Sequence, residues 1–213
     1  MTAGLIGIAL VSLGMVLTPG PNMIYLVSRS LTQGRRSGLI SLSGVFLGFT
    51  VYLVATCLGL TAVFAYVPAA YTALKIAGAA YLLWLAWNAV KPGGISAFEP
   101  RELPVESPGR LFSMGLLTCL LNPKIAILYM SLLPQFVDPS MGHVLLQSLA
   151  LGSVQVAIGT LVNGLIVITA GSLAAFLARR PVWLRIQRYL TGTVLGVFAV
   201  SMATDRSKAL VTS

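Results

Sequence analysis

The chain has 213 residues, 57% of them hydrophobic and 9% charged, with a formal net charge of +9. Soluble domains carry about a quarter charged residues, and a mean hydropathy of +0.90 is more apolar surface than one core can hide, which argues against a soluble domain and makes membrane lipid the expected partner. The positive charge does not point to nucleic acid: the basic residues sit between apolar runs, where membrane orientation accounts for them, and not on a polar face with aromatics between them.

The first apolar run covers residues 3–28. It has neither a basic leading region nor a small-residue cleavage site, so it is expected to remain as the first span. The stretch LTPGPN interrupts it at residues 17–22. A proline has no N–H, and its ring pushes away the carbonyl four residues earlier. Pro19 and Pro21 are therefore expected to release the carbonyls of Met15 and Leu17 from the helix, while Gly20 opens backbone angles closed to other residues. Broken backbone survives at membrane depth only inside protein or beside a wet cavity. The half-helix ends it exposes suit ions and zwitterions. Asn22, beside the break, can both donate and accept.

The second span is read at 38–60, with Gly44 and Gly48 spaced for close helix approach. The third is read at 69–90, with Lys75 near its outer end. The stretch KPGGISAFEPRELPVESPGR, residues 91–110, is rich in proline and glycine and carries Glu99, Glu102 and Glu106. It reads as a solvated cytoplasmic linker between a first half, 1–90, and a second half, 111–213.

The fourth span, 112–136, is interrupted by LNPK at residues 121–124. Pro123 is expected to release the carbonyl of Cys119, with Asn122 beside it. Lys124 lies about 14 residues past Arg110, or about 20 Å along a helix. An ammonium that deep costs about 2.5–3.5 kcal/mol on insertion scales. No acidic residue lies inside a span, so its partner is expected to be a carbonyl, water or a substrate carboxylate. The competing expectation is snorkelling to the cytoplasmic surface.

The fifth span, 144–177, carries Gln155, Thr160 and Asn163, suited to lining a cavity or bonding neighbouring helices. The sixth is read at 189–204. Cys57 and Cys119 fall inside apolar runs and read as buried free thiols. His143 is the only histidine, and no span holds a carboxylate pair or a Cys/His cluster. The reading is therefore not an enzyme, with no metal and no cofactor.

Basic residues occupy alternate connections: Arg29, Arg35 and Arg36; Lys91, Arg101 and Arg110; Arg179, Arg180, Arg185 and Arg188. Positive loops stay in the cytoplasm, so both termini are expected outside, although Arg206 and Lys208 in the tail run against this. An odd number of spans per half makes the halves enter the membrane in opposite directions. The expected fold is an all-α membrane protein of six transmembrane helices, a 3+3 inverted repeat with helices one and four broken. The matched position of the breaks supports it more than the loose likeness of GAAYLLWLA to GTVLGVFAV.

The stretches LTPGPNMIYLVSRSLTQGRRSGL, KIAGAAYLLWLAWNAVK and LLNPKIAILYMSLLPQFVDP strongly resemble the LysE/RhtB family of bacterial amino-acid exporters, over essentially the whole chain. The resemblance implies a multi-pass protein of the bacterial cytoplasmic (inner) membrane. It implies secondary active export of amino acids by alternating access, driven by the proton gradient or the membrane potential. Thr18, Pro19, Gly20, Pro21 and Asn22 match the first family motif; Asn122, Pro123, Lys124, Pro134 and Gln135 match the second. All of these except Pro134, together with Asn163, make up the expected substrate-binding set. Many members place an acidic residue just after the GxxxG, where this chain has Phe49 and Thr50. That departure argues against proton coupling through such a carboxylate and against a strongly cationic cargo. The expected partner is a neutral or hydroxylated amino acid, such as homoserine, threonine or a leucine-like compound. The alternatives are an exporter of basic amino acids or a passive channel, and a homodimer is an allowed assembly.

Overall fold

The computed structural model describes residues 2–18, 20–66 and 104–178 continuously, and single positions within 76–91 and 182–200. The expected third and sixth spans, most of the linker and both termini's orientation lie outside that description. Regular structure among the described residues is helical throughout. Helix α1 is Thr2–Leu17, α2 is Pro21–Gln33 and α3 is Arg35–Tyr66. After the linker come α4, Pro108–Leu120, and α5, Pro123–Ile127. A π-helical turn, Leu128–Leu132, and 3-10 turns at Leu133–Phe136 and Pro139–Met141 lead into α6, Val144–Ala178.

Helices α3 and α6 are each long and apolar enough to cross a membrane. Helices α1 and α2 are too short to do so alone, because a 30 Å hydrocarbon core needs about 20 residues. Taken as one span, that pair is bent by 53°, and Pro108–Leu120 with Lys124–Phe136, taken the same way, is bent by the same angle. The described residues thus hold two to four spans.

Both bends have the same local cause. Each second half starts with a proline at its first position, where the missing N–H is no loss and φ is already helical. Gly20 caps α2 in an extended conformation, φ −163° and ψ 176°. Asn122 caps α5, its side chain accepting from the Lys124 N–H at 3.0 Å. Beyond α5 the expected plain helix is not what forms. Pro134 removes the i+4 donor for Met130, and the chain adopts π and 3-10 spacing around it.

Helices α3 and α4 meet most closely. A Cβ at Gly44 would run into the Phe112 carbonyl, one at Gly115 into the Ser41 carbonyl, and one at Gly48 into the Cys119 side chain. Gly44 and Gly115 therefore make a seam of backbone against backbone, and Gly48 makes room for Cys119. Helix α1 packs on α6, and α2 lies against α3 and α6. Ile8, Val11, Met15, Leu26, Val45, Phe49, Tyr129 and Val167 form the core between them. Leu10, Phe46, Leu58, Leu161 and Leu165 project outward, an apolar surface matched to lipid.

Candidate functional site

The break in the first span is closed from the second half. Met15 lies four residues before Pro19, which has no N–H to give it. Instead Lys124 Nζ donates to the Met15 carbonyl at 2.9 Å and to the Thr18 carbonyl at 2.7 Å. Lys124 is only 5% exposed, so it does not snorkel to the surface. Thr18 is itself held by a bond from Oγ1 to the Gly14 carbonyl, 2.8 Å. A Cβ at Gly20 would stand 2.8 Å from Lys124 Nζ, so glycine there leaves the ammonium its path. In the second break the Cys119 carbonyl accepts from the Asn122 N–H at 3.1 Å, and the Leu120 carbonyl accepts from Tyr52 Oη at 2.7 Å.

The two asparagines form a relay whose direction the backbone sets. The Lys124 N–H makes Asn122 Oδ1 an acceptor. Asn122 Nδ2 must then be the donor, and it donates to Asn22 Oδ1 at 3.0 Å. That in turn fixes which end of the Asn22 amide remains: Nδ2, buried, with no oxygen or nitrogen acceptor among the described residues and only the Cys119 sulfur, a weak acceptor, as its side-chain neighbour. An amide has two such donors, and leaving a buried one unmade costs about 1–3 kcal/mol.

Asn22 lines a cavity of about 20 Å³, shared with Ser12, Met15, Phe49, Lys124, Gln155 and Asn163. Ser12 Oγ is also buried without a partner among the described residues. Gln155 Oε1 accepts from Tyr129 Oη, and Asn163 Nδ2 donates to the Gly159 carbonyl at 2.7 Å. The volume suits about one water and is too small for an amino acid. Its lining residues include Lys124, Asn22 and Ser12, whose side chains together offer a donor set suited to a carboxylate. A second cavity, about 210 Å³, lies where α1 and α6 begin and is lined by Phe136, Asp138 and Gln147.

Of the residues expected in the site, the fold brings Thr18, Gly20, Asn22, Asn122, Lys124 and Asn163 to this cavity or to the bonds around it. Pro21 opens α2, and Pro123 opens α5. Pro19 is not among the described residues. Gln135 is elsewhere: it sits in the 3-10 turn, and its Nε2 bonds the Ser131 carbonyl at 2.8 Å. Ser12 carried no sequence signal, being a lone hydroxyl in an apolar run. Arg29 was read as a loop cation, yet it is 1% exposed and the largest fully buried side chain among the described residues.

A family model described as LysE type translocator matches residues 13–206. An uncharacterized membrane protein of Pseudomonas aeruginosa is 31% identical over 203 residues, 89% of this chain and 90% of that protein. A homoserine/homoserine lactone efflux protein of Salmonella typhimurium is 32% identical over 172 residues, 79% of this chain and 78% of that one. An E. coli membrane protein, YahN, is 31% identical over 115 residues, 54% of this chain and 52% of its own length. No solved structure matches the chain.

Proposed function

We propose a function from one premise: this chain belongs to the LysE type translocator family. It is a multi-pass membrane protein, and the family and the efflux relatives support export of small amino-acid-like compounds. The finer reading is a secondary active exporter of zwitterionic, neutral or hydroxylated amino acids from the cytoplasm, working by alternating access. The relative named for homoserine efflux supports a small hydroxylated cargo.

One observation carries this reading: a buried ammonium, Lys124, rests on two backbone carbonyls, and no described carboxylate pairs with it. A zwitterion can replace that arrangement without adding net charge to the membrane interior. Its carboxylate takes Lys124 Nζ together with Asn22 Nδ2. Its ammonium takes the Met15 and Thr18 carbonyls that Lys124 gives up, at the negative end of α1. Desolvating a lone charge would cost several kcal/mol; the exchange keeps each charge paired throughout. The cavity of about 20 Å³ must widen to admit cargo, which fits a closed stage of an alternating cycle rather than a standing pore.

The experiment is efflux of labelled neutral amino acids from proteoliposomes, with wild type and Lys124→Met at matched protein. We expect selective efflux in wild type, competition by amino acids but not by their carboxamides or N-acetyl forms, and loss in the variant. Full activity in Lys124→Met, or preference for lysine and arginine over neutral amino acids, would sink it.

A further inference from the structure

Arg29 lies nine residues past Gly20 on α2, about 13 Å further along the helix at 1.5 Å per residue. It stands at the end of the bundle where α2 stops and α4 starts. Its side chain is 1% exposed, and no described carboxylate pairs with it. Burying a guanidinium without a counter-charge is costly, so its surroundings need an account.

The two edges of the guanidinium differ. Nη1 is anchored: it donates to the Pro104 carbonyl at 2.7 Å and to Gln33 Oε1 at 3.1 Å. Gln33 Nε2 in turn donates to the Glu106 carbonyl at 3.0 Å, so this anchor ties α2 to the segment before α4. The opposite edge is poorly used. Nε has no hydrogen bond among the described residues, and Nη2 meets only the thioether of Met114 at 3.6 Å. A thioether is a weak acceptor on a flexible side chain that moves aside readily. The Nε–Nη2 edge is the one that accepts a carboxylate side-on through two parallel hydrogen bonds. The Tyr25 ring, 5.7 Å from the guanidinium carbon, holds the plane in place. Tyr25 Oη is pinned by its bond to the Leu111 carbonyl at 3.1 Å.

We infer that Arg29 is a second carboxylate-binding station: its Nη1 is the fixed anchor, and its Nε–Nη2 edge, covered by Met114, takes the cargo's carboxylate before or after Lys124 holds it. The inference rests on the export reading. It also differs from a merely structural arginine, for which the anchored edge alone would suffice and the other edge would not need to be reached.

The test uses the purified full chain in nanodiscs, treated with phenylglyoxal, which attacks guanidinium groups, with modification read at each arginine by peptide mass spectrometry. Arg110, its side chain 67% exposed, is the internal reference. A neutral amino acid and its carboxamide are compared as protectants, in wild type and in Lys124→Met. We expect slow modification of Arg29, reduced severalfold by the amino acid, unaffected by the carboxamide, and reduced equally in Lys124→Met. No modification of Arg29 would overturn the station, as would equal protection by both compounds. Protection that disappears in Lys124→Met would also overturn it, because the effect would then be transmitted from the break. A wild type that moves no amino acid would sink the export reading instead, and carboxylate-specific protection of Arg29 would then stand as binding without export.

Discussion

Asn122 donates from Nδ2 to Oδ1 of Asn22 at 3.0 Å, joining the break in one half of the chain to the break in the other. Because Asn122 also caps α5 through Lys124 N–H, this one side chain sets the local helix start and the contact between halves together.

Asn122→Ala removes both bonds and leaves Asn22 Oδ1 without its donor. It should cost about 1–3 kcal/mol in denaturant unfolding, and Asn22→Ala should cost less, since the other half of that amide meets only the weak Cys119 sulfur. The double variant should cost less than the sum, with a coupling of at least about 0.5 kcal/mol. Strict additivity would mean that the relay does not act as a unit.

Lys124→Met should lower flux far more than it lowers stability. The substitution keeps length and removes the buried amine, but it leaves the Met15 and Thr18 carbonyls without their donor, at a cost of about 1–3 kcal/mol that the loss of a buried charge partly offsets. Flux of neutral amino acids should fall at least about tenfold, consistent with loss of a charge-assisted bond. A modestly lowered melting temperature with the transition still cooperative, beside lost flux in the same preparation, is the expected pair of readings.

Gly20→Ala needs no change of backbone, since the glycine is extended. The new methyl would still stand 2.8 Å from Lys124 Nζ and 3.0 Å from Cε, so the lysine must shift off the Met15 and Thr18 carbonyls. Transport should fall severalfold, with a stability loss of about 1–3 kcal/mol, the usual cost of overfilling a packed site. Wild-type flux in this variant would show that the lysine's position is not needed.

Phe49→Glu would put a carboxylate on the wall that Lys124 already lines. The two should pair, and the internal carboxylate should compete with that of the cargo. Neutral amino acid efflux should drop about tenfold or more, while lysine, now offered a negative partner, should gain relative to it. Competition assays with both amino acids on the same vesicles decide this; an unchanged ratio would count against the cavity as the binding site.

Much of the site was legible because it is built from residues that break membrane rules. Prolines inside apolar runs announced both bends, and Lys124, too deep for a surface cation, announced its own burial. The carbonyl of Met15 followed from the chemistry of Pro19 alone. Arg29 was not legible, because a basic residue near a span end looks like an orientation signal. Its burial depends on Pro104, 75 residues away. Ser12 looked like any small residue of an apolar helix. Gln135 belongs to a recognisable motif, but the π and 3-10 turns before and around it do not show in the sequence, and its amide Nε2 bonds the Ser131 carbonyl.

The seam at Gly44 and Gly115 has a mechanical consequence. Helix α3 comes from before the linker and α4 from after it, yet their backbones touch and leave no side-chain cushion for sliding. The chain therefore cannot work as a clamshell whose two shells are its two sequence halves. Its chassis is drawn from both, α3 bolted to α4, so any rearrangement carries that pair as one body.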